Sequence, residues 1–169
     1  SAPDTVVNQY ALLATDANAG DHSTSVTSVV NLTSEPLGVL EAGDVVLVIQ
    51  VRGATMDTTD SRAYGAVADL GHAGHYELAG VGGVQGNTIN LVESCAGLMY
   101  AYTASGGTQV VRVPRFSTVS VEAAGSITAP AWDGMRGGVV AMLVETLTVN
   151  GAIDLSGKGF RGGAADVES

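Results

Sequence analysis

The sequence predicts an all-β chain: a β-rich N-terminal head or cap over residues 1–114, followed by the first coils of a parallel β-solenoid (β-helix) over residues 115–169. Three observations predict it. No stretch of a dozen residues carries apolar positions at helical spacing without an intervening glycine or β-branched cluster, which removes long helices. Short runs rich in Val, Ile and Thr follow one another closely, bounded by turn residues, in a chain with 23 glycines and 5% aromatic content. After Pro114 the sequence begins to repeat itself.

In chain order, Val26, Ser28 and Val30 alternate with polar neighbours as a half-buried strand does. Val45 to Val51 is a continuous run suited to a strand buried on both faces, and Glu41-Ala42-Gly43-Asp44 supplies the turn before it. Met56 to Gly74 reads either as one short helix capped by Asp57-Thr58-Thr59-Asp60 or as a long surface loop. Asn87 to Val92 alternates again after a Gly86 turn, and Thr108 to Val113 forms a further strand stopped by Pro114.

The repeat aligns Thr118-Val119-Ser120-Val121 with Thr146-Leu147-Thr148-Val149, and Gly125-Ser126-Ile127-Thr128 with Gly151-Ala152-Ile153-Asp154. Its tail aligns Met135-Arg136-Gly137-Gly138 with Phe160-Arg161-Gly162-Gly163. A period of about 25 residues is one coil of a solenoid, with glycine at the corners and alternate Val, Leu and Ile lining a narrow interior. Such arrays need about three repeats, so the two visible here imply a partner at the open edge: the head, a same-type or sister polypeptide, or further chain.

Charge excludes several function classes. Seventeen acidic residues against seven basic ones give a net charge of −10, which leaves no footprint for nucleic acid or an anionic membrane surface. The longest apolar run falls far short of the roughly 20 residues needed to enter a membrane as a helix. Cys95 is the sole cysteine, so no intramolecular disulfide and no cysteine zinc cluster can form.

Four stretches carry a family resemblance: Gly43 to Thr55, Ala73 to Leu78, Thr128 to Gly134, and Asp154 to Gly163. Together they resemble the N-terminal region of large secreted bacterial surface proteins, of the adhesin-like and gliding-motility-associated kind found in myxobacteria and Bacteroidetes. The resemblance implies export to the cell surface and a β-rich head leading into a β-solenoid. It brings no catalytic residue, and gives His72 and His75 no functional weight.

Candidate chemistry is sparse. His72, His75 and Glu77 are metal-ligand types within six residues, but in a strand His75 and Glu77 share a face while His72 points away. Asp16, Asn18 and Asp21 have the alternating oxygens of a calcium loop without its closing glutamate, and a hairpin turn accounts for them equally. Asp57 and Asp60, with Asp69, form a second candidate calcium cluster in the long loop. Gly157, Gly159 and Gly162 match a dinucleotide fingerprint formally but lack the helix that would receive the pyrophosphate. Asp133 is the one candidate catalytic carboxylate, with Trp132 to stack on a sugar and Arg136 to hold an acidic group; a turn with a packed indole explains the same residues. Tyr64, Tyr76, Tyr100 and Tyr102 serve either the core or a carbohydrate-stacking patch.

The expectation is a secreted, non-catalytic structural or adhesive module that works by assembly or by binding, surface polysaccharide included. The alternatives are a fragment of a β-helix carbohydrate-active enzyme, lyase or hydrolase, and a calcium-stabilised fibre subunit.

Overall fold

The structure is a computed structural model, and it describes residues 4–35, 37–92 and 96–161. Cys95, Gly162 and Gly163 lie outside the described residues. Thirteen strands are described: β1 (Thr5–Val6), β2 (Gln9–Leu12), β3 (Ser23–Ser25), β4 (Val45–Ile49), β5 (Thr55–Met56), β6 (Val67–Asp69), β7 (Tyr76–Gln85), β8 (Thr88–Leu91), β9 (Gln109–Val113), β10 (Arg115–Val121), β11 (Ser126–Thr128), β12 (Leu143–Val149) and β13 (Ala152–Ile153). The one helical element among the described residues is a 3-10 turn, Val29–Leu32, so the chain is all-β as expected.

Six strands form a curled antiparallel sheet in the order β2-β9-β4-β7-β8-β3. β4 and β9 lie inside it and are buried on both faces; β4 is apolar throughout, whereas β9 places Gln109 and Arg112 among its valines. One face packs Ala11, Val46, Val48, Ala79, Val81 and Val110 against Leu32, Leu98 and Tyr102. The other packs Tyr10, Val45, Leu47, Val111 and Val113 against Val139 and Ala141. The alternation from Val26 to Val30 is not a strand: pairing stops at Val26, and the side-chain oxygen of Asn87 takes the Val29 amide at 3.0 Å, turning the chain into the 3-10 segment.

Two parallel ladders stand beside this sheet. β10 pairs with β12, placing Thr118 opposite Thr146, Val119 opposite Leu147 and Val121 opposite Val149, 28 residues apart. β11 pairs with β13, placing Ile127 opposite Ile153, and β1 adds on the far side of β11 with Thr5 opposite Ile127. The strands of the two copies of the sequence repeat therefore lie side by side in register. Val119, Val121 and Ile127, with Thr5, Val7 and Met142, line an apolar cleft of about 250 Å³ between the ladders.

Buried polar side chains join the two parts. Asn8, 3% exposed, donates through Nδ2 to the carbonyls of Arg112 (2.8 Å) and Ala141 (2.6 Å), and its Oδ1 accepts the Ala141 amide at 3.0 Å. Gln109 Oε1 accepts the Gly137 amide at 2.7 Å, and the Tyr10 hydroxyl donates to the Val139 carbonyl at 2.5 Å. These bonds satisfy backbone groups that a strand partner would otherwise take, and hold the 137–141 segment on the sheet.

Two tyrosines report on this packing. Burial pushes the Tyr10 phenol up to about 12, and burial followed by its bond to Glu77 raises Tyr102 well above the ordinary value of about 10. A phenol whose pKa is raised on folding contributes stability that is complete below about pH 10 and is lost as the pH climbs through the folded value. Alkaline titration followed by tyrosinate absorbance is expected to show a fraction that appears only together with unfolding. Tyr10→Phe and Tyr102→Phe should each remove part of that late fraction.

Candidate functional site

The loop 130–137 lies along the free edge of β2 and contains the residues singled out for carbohydrate chemistry. Trp132 donates its amide to the Lys158 carbonyl at 2.9 Å, and its ring meets Phe160 edge-on at 5.8 Å. The indole is half-buried with its Nε1 enclosed and unpartnered, so it packs between loops instead of presenting an open face. Asp133 Oδ1 accepts the amides of Met135 (2.8 Å) and Arg136 (2.9 Å), and Oδ2 lies 3.6 Å from Arg136 Nε. The backbone bond from Arg136 is the largest cause that holds this carboxyl below its ordinary value. A glycosidase acid requires the opposite, a carboxyl that stays protonated near neutrality. Asp133 is built as a turn-closing acceptor. The adjoining cleft, about 480 Å³, is lined by Gln9, Tyr10, Asn31, Asp133 and Arg136, with Arg136 Nη1 3.5 Å from the Tyr10 carbonyl.

A second cleft of about 460 Å³ involves His75, Tyr76, Glu77, Met99 and Tyr100. A turn in which the His75 amide donates to the His72 carbonyl at 3.2 Å brings the two imidazoles to 5.6 Å, although alternation placed them on opposite faces. His75 is stacked on Tyr100, with ring centroids 4.6 Å apart and planes 24° apart. Glu77 accepts the Met99 amide (2.8 Å), the Tyr100 amide (3.1 Å) and the Tyr102 hydroxyl (2.9 Å). Its carboxylate anchors the 99–102 loop to β7.

The candidate calcium carboxylates are also engaged. Asp16 accepts the Ala104 amide at 2.9 Å, and Asp21 accepts that of Asn18 at 2.7 Å. Asp57 accepts the amide and hydroxyl of Thr59, and Asp69 the Gly71 amide. The Asp60 side chain makes none of the described hydrogen bonds. Among the described residues no three His, Cys, Asp or Glu side chains converge as a metal site would. The Met56–Gly74 segment forms no helix: β5 and β6 close it as a small hairpin with turns.

A further unmatched feature among the described residues is the outer edge of the parallel ladders. β12 and β13 end their sheets and have no further strand partner among the described residues. Positions that are equivalent by register differ sharply in burial: Val121 is 5% exposed against 43% for Val149, and Ile127 is 5% exposed against 39% for Ile153. Sequence reasoning anticipated this edge. It missed Glu77 as an acceptor and the buried Asn8, Gln50, Gln109 and Arg112; the signal for the last was an arginine inside the apolar run Val110 to Val113.

No protein-family model matches this chain, and no curated protein matches it. Solved structures that it resembles are phage tailspikes. The tailspike of Pseudomonas phage phi297 is 17% identical at a TM-score of 0.40, with 85% of this chain and 18% of that chain covered. The tailspike of Acinetobacter baumannii bacteriophage AP22, solved in complex with A. baumannii capsular saccharide, is 17% identical at a TM-score of 0.41, covering 89% and 23%. The tailspike of Pseudomonas phage LKA1 is 19% identical at a TM-score of 0.36, covering 86% and 22%. This chain thus spans about a fifth of the length of each. Among the described residues no helix is long and apolar enough to cross a membrane.

Proposed function

We propose that this chain is a non-catalytic structural module of a secreted surface protein: a β-rich head seated on the first windings of a parallel β-solenoid, whose free edge receives a further winding of the same kind. The observation that carries the reading is the contrast in burial between register-equivalent residues. Val121 and Ile127 are covered, whereas Val149 and Ile153, one ladder step further out, present the same apolar side chains to solvent. A parallel strand laid on β12 and β13 would cover them as the second repeat covers the first, and would pair the outer backbone groups. Parallel ladders buried on their faces are the stable form of such an arrangement. The engaged, acidified Asp133 supports assembly over bond cleavage.

The test is to extend the chain with a designed copy of residues 141–161. The extended protein is expected to melt higher, and the amides of residues 143–153 are expected to gain protection from hydrogen exchange. An extension that stays unprotected and leaves the melting point unchanged would overturn the reading, as would release of reducing or unsaturated ends from polysaccharide by the chain.

A further inference from the structure

The corner between β12 and β13 is two residues long, Asn150 and Gly151, whereas the corner it stacks on, between β10 and β11, has four, residues 122–125. Asn150 is the one asparagine of the chain that is followed by glycine. That dipeptide has a chemistry of its own. The glycine nitrogen can attack the side-chain amide carbon of the asparagine, because no Cβ hinders closure of the ring. Ammonia leaves, and water then opens the cyclic imide at either of its carbonyls. One opening gives aspartate; the other gives isoaspartate, in which the main chain runs through the former side chain and is one carbon longer. The reaction needs only water, and it is one reason why asparagine is a thermolabile residue.

Two features of the corner bear on this reaction. The electrophile is accessible: Asn150 is exposed, and its side chain takes part in none of the described hydrogen bonds. The nucleophile is held. The Gly151 amide donates to the Val121 carbonyl at 3.0 Å, and the Asn150 amide donates to the same oxygen at 2.8 Å. Attack requires the Gly151 nitrogen to give up its proton and to turn toward the neighbouring side chain, and the bond to Val121 opposes both.

The isoaspartate product does not fit back. Two successive amides reach one oxygen because a single ordinary residue spaces them, and an added main-chain carbon between them changes that spacing. Gly151 cannot take up the difference by moving inward, since even a side-chain carbon there would fall on the carbonyl oxygens of Glu122 and Gly125. Either product also places a new carboxylate near Glu122, which follows Val121 as Asn150 follows its register partner Val149.

We infer that Asn150–Gly151 is a masked deamidation site: docking of β12 and β13 on β10 and β11 holds it closed, and conversion to isoaspartate leaves a corner that no longer docks. The reaction runs through the fraction of molecules in which the outer ladder has lifted, so its rate is the rate of an open chain scaled by that opening equilibrium. The site thereby turns a reversible opening into a permanent one. This holds whether or not a further winding lies on the free edge.

Peptide mapping by mass spectrometry, after incubation of the full chain in warm, mildly alkaline buffer, tests the inference. The native chain is expected to convert Asn150 roughly tenfold or more slowly than a synthetic peptide of residues 146–154, which has no Val121 to hold its glycine nitrogen. Val121→Ala keeps the carbonyl but removes packing beneath the outer ladder, and is expected to move the rate toward that of the peptide. The isoaspartate form, separated from unreacted chain, is expected to lose hydrogen-exchange protection over residues 143–153 while β4 and β9 keep theirs. Asn150→Asp adds the charge without the extra carbon and should retain most of that protection. Native chain that reacts as fast as the peptide overturns the masking. An isoaspartate form that stays protected, or an Asn150→Asp chain that loses as much protection, overturns the part assigned to main-chain lengthening.

Discussion

Arg112→Met is expected to destabilise the folded chain by about 3–5 kcal/mol, the cost of losing several hydrogen bonds from a charged donor to buried carbonyls. Arg112 is the fourth of the five residues of β9, with 3% of its surface exposed. Its Nη1 donates to the carbonyls of Leu32 (3.1 Å) and Gly38 (2.7 Å). Its Nη2 donates to those of Leu37 (3.0 Å) and Val39 (3.2 Å), and to Asp44 Oδ2 at 2.8 Å. One guanidinium thus takes the place of a strand for four carbonyls, using the planar fork that lysine lacks. Methionine fills a similar volume and removes the guanidinium donor from all five acceptors, of which Gly38 keeps the Ser34 amide and Asp44 the Glu41 amide. Asp44→Asn should cost less than half as much, since the four carbonyl bonds persist and the amide oxygen can still accept the Glu41 amide. Denaturant unfolding of the two variants measures both values. Equal losses would mean that the charge pair, and not the carbonyl clamp, carries the stability.

Gly151→Ala is expected to unseat the second ladder from the first. Gly151 lies directly over the corner between β10 and β11, where its amide and that of Asn150 both donate to the Val121 carbonyl, at 3.0 and 2.8 Å. A side-chain carbon there would fall on the carbonyl oxygens of Glu122 and Gly125, well inside van der Waals contact. Both obstacles are backbone, so no side chain can move aside. The cost is placed at the upper end of overpacking penalties, about 3 kcal/mol, which is roughly a 100-fold rise in local opening. Hydrogen exchange should show lost protection across residues 143–153 while β4 and β9 keep theirs. Uniform loss over the whole chain, or none, would refute a corner-specific role.

How much was legible in the sequence depends on how local the cause is. The apolar run at Val45 announces a strand covered on both faces because burial alone determines its composition, and the stretch from Thr108 to Val113 announces a further strand; both lie inside the sheet. The match of Thr118 with Thr146 and of Ile127 with Ile153 reappears as strand register, since equivalent positions meet equivalent surroundings in a repeat. β7 is a strand that the sequence reading does not assign, and its end, Val84-Gln85, is read there as a turn. Gly80, Gly82 and Gly83 interrupt its alternation, and a bulge between Val81 and Gly83 shifts its register as it passes from β4 to β8. At the candidate sites, Asp133 and Arg136 meet because they are three residues apart. Glu77 finds its partners 22 to 25 residues away, a distance that no local pattern encodes. The same holds for Asn8, whose two acceptors come from Arg112 and Ala141.

β1 has a kinetic consequence. Thr5 and Val6, met before any strand of the main sheet, take their partners from Ile127 and Thr128, which follow all of it. More than a hundred residues must be made, and the intervening sheet closed, before this pairing becomes possible. Contacts of such sequence separation slow folding, because the loop entropy is lost before the contact compensates it. Docking of β1 is thus expected among the slow, late events of folding, and until it occurs one side of β11 stays open to the wrong strand.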